Sequence, residues 1–233
     1  MTCTRLTRFA LALSMLAAGT ASAETYGLLD ISSSTGFFDT INVAGIDVTE
    51  DGVLFSHQVA DDDFTVAANY LGEPSNGVLG GSLQVANASA NDIEFVIGFV
   101  MPLDDFEPGF VNWAASVTAA LTGIDGTVRS LAGEPIWAAS VGGTLLGTML
   151  LDPFELTTTG LGTTAAEEWL SGSLDWNGGD TMTIRYAFSL SAGDSVVFGG
   201  ARGFVPAPGA VALLGLAVIT GHRRRRRTTG SAA

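Results

Sequence analysis

The side chains that enzymes most often use for nucleophilic and proton-transfer chemistry are scarce in this sequence. It contains two histidines and one cysteine, and His57 is the histidine outside the C-terminal tail. Cys3 lies at the start of the chain, which excludes thiol catalysis, disulfides and cysteine-based zinc sites in the rest. A Ser-His-Asp triad or a histidine metal site would need His57, and no Gly-x-Ser-x-Gly segment accompanies it. Because His57 alternates with Val53, Phe55 and Val59, we predict a strand residue, buried or at the core edge.

Two acidic clusters point to metal chemistry based on oxygen ligands. Residues 61–63 are three aspartates in a predicted hairpin turn, and residues 104–107 lie in a loop between two prolines. Carboxylates crowded in a flexible loop suit Ca²⁺, which takes about six to eight oxygen ligands with loose geometry. Neither cluster has EF-hand spacing, so the alternative is a solvated acidic turn and no cofactor. The calcium ligands that this pattern predicts are Asp61, Asp63, Asp104 and Asp105.

Pairs of carboxylates can also hydrolyse glycosidic bonds, with one acid and one base or nucleophile at a set separation. The spacing of the acidic residues singles out no pair. The carboxylates considered are Glu94, Glu167, Glu168 and Asp175, with Trp169 and Trp176 as sugar-stacking platforms. Large aromatic side chains usually supply buried area, so the tryptophans are predicted to be core residues instead. These are Trp113, Trp137, Trp169 and Trp176.

The elements that would position these residues are short strands. Met182, Ile184, Tyr186, Phe188 and Leu190 alternate with small or polar residues, a period of two that no helix gathers on one face. Further strands are predicted on the same pattern. They lie near residues 25–31, 41–49, 53–59, 64–70, 82–88, 93–99, 113–121, 127–131, 136–141, 144–151, 169–175 and 195–199. For the alanine-rich stretch 113–121 a helix is the alternative.

Turn residues separate the predicted strands. Glycine and asparagine supply the positive φ that tight hairpins require. Turns are predicted at Asp51-Gly52, Asn76-Gly77, Gly80-Gly81, Asp125-Gly126, Gly142-Gly143, Asn177-Gly178-Gly179 and Gly193-Asp194. Many short alternating strands without a strong helix predict an all-β fold, an antiparallel β-sandwich or jelly-roll-like domain over residues 24–204.

The charge of this central domain excludes one class of partner. The chain has 24 acidic and 10 basic residues, and all ten basic residues are arginine. Seven arginines lie at the two ends, which leaves Arg129, Arg185 and Arg202 against all 24 carboxylates, a net charge of 3 − 24 = −21. A surface this negative repels phosphate backbones, so we predict no nucleic-acid binding.

The N-terminus has the pattern of a secretory signal peptide over residues 1–23. Arg5 and Arg8 precede an apolar run from Phe9 to Ala18. Small residues then stand at the positions that signal peptidase inspects, which predicts cleavage between Ala23 and Glu24, with Ala21 as the other small residue. The chain is therefore expected to be exported.

The C-terminus has a second targeting pattern over residues 205–227. Its first part is Val205, Pro206, Ala207, Pro208 and Gly209, a stiff extended joint that a protease can reach. An apolar helix is predicted over 209–221. A helix over the whole stretch 207–221 would be roughly 22 Å long, which is shorter than the ~30 Å hydrocarbon core of a membrane. Five arginines follow the helix, and they are expected to keep the end of the chain, including the tail 228–233, in the cytoplasm. These stop-transfer residues are Arg223, Arg224, Arg225, Arg226 and Arg227.

The order of proline motif, short apolar helix and arginine cluster resembles the PEP-CTERM sorting signal of Gram-negative bacteria. That resemblance implies a membrane protease-transpeptidase called exosortase, which cuts near the proline motif and delivers the protein to the cell surface or exopolysaccharide matrix. Ala207 stands where the family has glutamate. The central region, most of all residues 188–200, is similar to the β-sandwich ectodomains common on such chains.

The sequence thus favours a non-enzymatic exported protein. The precursor is expected in the inner membrane of a Gram-negative bacterium, and the mature form at the cell surface or in the extracellular matrix. The expected partners are signal peptidase, an exosortase-like protease, the membrane and exopolysaccharide. The alternatives are a calcium-assisted carbohydrate-binding module and a glycoside hydrolase-like enzyme.

Overall fold

The protein is all-β and antiparallel, as the alternating pattern predicts. The computed structural model describes residues 26–48, 52–74, 77–103, 109–176 and 181–205. Fourteen strands occupy these ranges. They are β1 (Tyr26–Ser33), β2 (Phe38–Asp47), β3 (Val53–Ala60), β4 (Phe64–Glu73), β5 (Val78–Asn87), β6 (Ile93–Pro102), β7 (Gly109–Ile124), β8 (Thr127–Ser130), β9 (Trp137–Val141), β10 (Thr144–Met149), β11 (Glu155–Thr157), β12 (Leu161–Trp176), β13 (Thr181–Leu190) and β14 (Ser195–Val205).

The strands form two sheets that share β2. The first sheet has the order β10-β9-β13-β6-β1-β2, and short β8 and β11 extend it beside β13. The second has the order β2-β3-β4-β5-β14-β7-β12. Residues 38–44 of β2 pair with β1, whereas Gly45–Asp47 pair with β3, so this strand turns the corner between the sheets.

Aromatic contacts show that the two sheets face each other. Tyr70 of β4 stacks on Phe99 of β6 with ring centroids 4.5 Å apart. Phe198 of β14 lies 4.9 Å from Phe188 of β13, measured between centroids. Each pair joins one sheet to the other, and all four side chains are buried. The inner faces therefore form one hydrophobic core, as in a β-sandwich.

The structure extends several predicted strands and adds one. β12 begins at Leu161, eight residues before the predicted strand, because β7 supplies a continuous antiparallel partner from Gly109 to Ile124. β14 likewise continues to Val205, because β7 pairs with it over Ser195–Val205. β11 has three residues, too few for an alternating pattern to reveal.

Most predicted turns within the described residues are confirmed, and one is wrong. Asp125 and Gly142 have positive φ angles at 54° and 53°, where the turns were predicted. Gly80-Gly81 instead lies inside β5. A Cβ on Gly81 would overlap with the backbone of the neighbouring strand β4, so this glycine permits a close approach of two strands.

Asn87 and Asp194 close one end of the sandwich with buried polar contacts. The side chain of Asn87, 2% exposed, joins the β5–β6 turn to the end of β13. Asp194, 4% exposed, accepts a hydrogen bond from the Ile124 backbone N–H and another from the Ser191 hydroxyl. The loops at this end are therefore fixed to the sheets by side chains.

The predicted targeting segments lie outside the described residues. These are the signal peptide 1–23 with its cleavage residues, and the tract from Pro206 through the arginine cluster to the 228–233 tail. Across the ranges that the structure does describe, no helix combines the length and the apolar character needed for a membrane span.

Candidate functional site

His57 lies where the sequence predicts it. It belongs to β3, on the face that carries Val53 and Phe55 towards the core, and is half-buried. Within the described ranges, no three histidine, cysteine, aspartate or glutamate side chains are grouped so as to hold a metal ion.

The first predicted calcium cluster forms the turn between β3 and β4. The backbone N–H of Asp61 donates to the carbonyl of Phe64 at 2.9 Å, and the N–H of Asp63 donates to Asp61 Oδ1 at 3.3 Å. These bonds shape a hairpin turn whose Asp61 side chain is exposed. Asp104 and Asp105 lie outside the described residues.

The carboxylates considered for glycoside hydrolysis lie on different surfaces. Glu94 is exposed on β6 of the first sheet, whereas Glu167, Glu168 and Asp175 belong to β12, the edge strand of the second sheet. Glu167 and Glu168 are adjacent and therefore point to opposite faces. Glu168 Oε2 accepts a hydrogen bond from the Leu150 N–H at 2.7 Å, which ties it to the loop after β10.

The prediction that the tryptophans are core residues is confirmed for Trp113 and Trp137 and wrong for Trp169. The first two are 6% and 2% exposed, while Trp169 is 75% exposed. Leu170 packs against the core from the next position of β12, so the alternation of the strand turns Trp169 outward. The Trp169 ring borders a shallow groove floored by small residues of β7 and β14. The Trp176 side chain lies outside the described part of the structure.

The interior contains a buried cation that the sequence pattern does not single out. Arg202 of β14 is 2% exposed and points between the sheets, where its Nη1 donates to the carbonyl of Ser140 on β9 at 3.0 Å. Among the described residues, no group accepts a hydrogen bond from Arg202 Nε or Nη2. Burial lowers the pKa of Arg202 to about 9. The other two central arginines form surface ion pairs, Arg185 with Glu134 and Arg129 with Asp92.

Two tyrosines lie in the same interior layer. The side chain of Tyr186 hydrogen-bonds with those of Tyr70 and Trp137. Burial raises the pKa of Tyr186 to about 12, against the lowering effect of these bonds and of the Arg202 charge. Burial also raises the pKa of Tyr70 well above its ordinary value, and the neighbouring Tyr186 adds to the rise.

These tyrosines predict a loss of stability at alkaline pH. Above about pH 10 an unfolded tyrosine releases its proton, whereas folded Tyr186 keeps its proton to about pH 12. The unfolded state then binds fewer protons than the folded state, so the free energy of unfolding falls as pH rises through this window.

Denaturant unfolding of the wild type and of Tyr186→Phe, compared at each pH from 10 to 12, measures the effect. Arg202 has the opposite effect on the pH dependence of stability, because its lowered pKa makes the unfolded state hold the extra proton above pH 9. Both proteins in the comparison contain Arg202, so the difference between them reports on Tyr186. We therefore expect Tyr186→Phe to gain stability relative to the wild type as pH rises. A difference that stays constant with pH would contradict the shifted pKa.

The outer face of the first sheet has a cleft with mixed chemistry, here called the Phe38 cleft. Its volume is about 350 Å³. Its lining comprises Asp30, Ile31, Ser32, Phe38, Val96, Gly98, Val100, Thr183 and Arg185. Strand register places Asp30 and Arg185 on either side of Gly98 in one row across β1, β6 and β13.

Phe38 rises beside this row as an aromatic wall. Its side chain is 75% exposed, whereas its neighbour Phe37 packs edge-on against Phe64 in the core. The sequence pattern assigns Thr183 and Arg185 to the outward face of their strand. The cleft itself depends on the pairing of three strands distant in sequence, which alternation along one strand does not reveal.

Comparisons with known proteins show no family for this chain. No protein-family model and no curated protein matches it. One similar solved structure is the enzymatically active domain of tailspike protein 4 of bacteriophage CBA120, with 15% identity and a TM-score of 0.30. This chain aligns over 67% of its length and spans 20% of that chain. Another is the T13 viral particle of IBDV, with 10% identity, a TM-score of 0.21, and coverage of 84% of this chain and 62% of that one. At these TM-scores neither likeness carries a functional argument.

Proposed function

We propose that this protein is an exported, non-catalytic β-sandwich that is delivered to the cell surface or extracellular matrix through its C-terminal tract. The observation that carries the proposal is the position of the last strand. β14 ends at Val205, directly before the Pro206-Ala207-Pro208 motif, and lies in the interior of the second sheet. The resemblance of residues 205–227 to a PEP-CTERM signal supplies the sorting route.

The central place of β14 supports a body that folds as complete cargo. It pairs with β5 over Ser195–Gly203 and with β7 over Ser195–Val205. A cut within residues 206–209 removes none of these pairs. At the other end, β1 begins at Tyr26, just after the predicted signal peptidase site before Glu24. Both predicted cuts therefore leave intact every strand in the described ranges.

The distribution of charge supports a passive rather than a catalytic body. Glu94 lies on the other sheet from Glu167, Glu168 and Asp175, and the adjacent Glu167 and Glu168 point to opposite faces of β12. Glu168 is also engaged by the Leu150 N–H, so this placement does not favour a paired acid and base. A body with 24 carboxylates repels neighbouring copies and recruits divalent cations, which bridge it to polysaccharide. In this proposal calcium is a surface counter-ion rather than a fixed cofactor.

Removal of residues 206–233 tests the sorting route, because the truncation leaves β14 whole. Fractions of the producing cell are compared for the full chain, the truncated chain and a full-length control with Arg129→Gln, a charge change in the folded body. We expect the truncated chain to leave the envelope fraction for the periplasm or medium, and the control to keep the wild-type location. An unchanged location of the truncated chain would refute the sorting role.

Mass spectrometry of surface protein tests the cleavage step separately. We expect a mature chain that begins at Glu24 and ends within Pro206–Gly209. Surface-exposed protein that retains Arg223–Arg227 would contradict processing, and would leave the tract as a permanent anchor.

A further inference from the structure

We propose that the Phe38 cleft is a binding site for a neutral saccharide, one hexose unit of a polysaccharide chain. The inference rests on the geometry of the cleft rather than on the export route. It deepens the proposed function, because a protein delivered to an extracellular matrix needs a surface that holds matrix polymer.

The floor of the cleft is open because residue 98 is glycine. A Cβ at this position would meet just one atom within 4 Å, the Cβ of Asp30 at 3.9 Å. Asp30 and Arg185 pair with Gly98 from opposite sides, so their backbones are two strand spacings apart, about 10 Å. A ligand can therefore enter between a carboxylate and a guanidinium and touch the sheet itself.

The polar groups on the walls offer both donors and acceptors. Asp30 Oδ1 accepts a hydrogen bond from the Thr40 hydroxyl at 2.8 Å, which fixes the carboxylate and leaves Oδ2 for a ligand. Arg185 Nη2 donates to Glu134 Oε2 at 2.6 Å, and a guanidinium has about five N–H groups in all. The Thr40 and Glu134 contacts thus hold the two charged groups in place without exhausting them.

This combination matches the chemistry of a sugar ring. Saccharide hydroxyls donate to a carboxylate and accept from a guanidinium, while the C–H face of the ring packs on an exposed aromatic such as Phe38. An apolar ligand would displace water from Asp30 Oδ2 and from the remaining N–H groups of Arg185 without replacing its hydrogen bonds, which is costly. The net charge of −21 in the central region (3 − 24) disfavours anionic polymers, so the expected unit is neutral.

Affinity electrophoresis provides the test, because this acidic chain migrates readily in a native gel. The full chain is run in a polyoxyethylene detergent, which contains no sugar. Separate gels are cast with the neutral polymers galactomannan, glucomannan or xyloglucan, and one further gel with the anionic polymer alginate. The cleft variants are Phe38→Ala, which removes the aromatic wall, and Gly98→Val, which fills the open floor. The matched control is Trp169→Ala, which removes an equally exposed ring from the outer face of the second sheet.

We expect at least one neutral polysaccharide to retard the wild type and Trp169→Ala, and both cleft variants to bind it roughly tenfold more weakly. Migration unchanged by every neutral polymer would overturn the proposal, as would retardation by alginate alone. Binding lost in Trp169→Ala but kept in Phe38→Ala would also overturn it and assign the ligand to the other sheet. Because the assay uses purified protein, its failure leaves the sorting proposal untouched.

Discussion

The Asn87→Ala variant is expected to lose about 2–4 kcal/mol of its free energy of unfolding. The two N–H groups of Asn87 Nδ2 are shared among the carbonyls of Asn91, Leu190 and Ser191, which lie at 2.8, 3.0 and 3.1 Å. Its Oδ1 accepts from the N–H of Ser89 at 2.9 Å. Alanine removes all of these bonds at once, and the Leu190 contact is fully buried, so water cannot replace it without opening the turn.

Denaturant unfolding at neutral pH measures this loss, with Asn69→Ala as the matched control. Asn69 is also a strand asparagine, but it is exposed and its Oδ1 accepts from the Ser56 hydroxyl on the surface. We expect the control to change the free energy of unfolding by less than about 0.5 kcal/mol. Equal stability of the two variants would show that the Asn87 contacts do not hold the turns together.

The periodicity of the sequence predicts the strands and the inner faces well, because alternation depends on neighbouring residues. His57 illustrates this success. The pattern places it on the same face of the strand as Phe55, and in the structure it lies on that face at the edge of the core. Gly80-Gly81 illustrates the limit, since glycine serves both tight turns and close strand approaches. The difference between these two roles depends on β4, a separate strand.

Long-range pairing decides which residues form sites. Trp169 faces solvent because Leu170 takes the inner face of β12, and which of these two neighbours turns inward depends on how β12 pairs with β7. The row of Asp30, Gly98 and Arg185 forms because β6 pairs with both β1 and β13. Residue type identifies candidates in both cases, but register places them.

Replacement of Arg202 by methionine is expected to raise the free energy of unfolding by about 1–3 kcal/mol. The Arg202 side chain is buried. Among the described residues, the Ser140 carbonyl accepts a hydrogen bond from its Nη1, and no group accepts one from Nε or Nη2. Methionine preserves much of the apolar stem and its flexibility, while it removes a charge and two unpaired donors. The lost bond to Ser140 limits the gain.

Arg129→Met is the matched control for this substitution. Arg129 is exposed and its Nη2 lies 3.6 Å from Asp92 Oδ2, a surface ion pair, so we expect a change within about 1 kcal/mol. Arg202→Met also has a pH signature that a mere packing effect lacks. Folded Arg202 releases its proton from about pH 9, while the unfolded chain keeps it, so wild-type stability gains above that pH and the advantage of the methionine variant should shrink.

The opposite outcome of the Arg202 experiment is equally informative about the interior. A variant destabilised at neutral pH would mean that the guanidinium contributes more through Ser140 and Tyr186 than its burial costs. Arg202 lies on the second sheet and Ser140 on the first, opposite a register shift in β10 between Leu145 and Gly147. In that case the buried cation fixes how the two sheets align, and Arg202→Lys, a cation without the planar fork, should recover less than half of the loss.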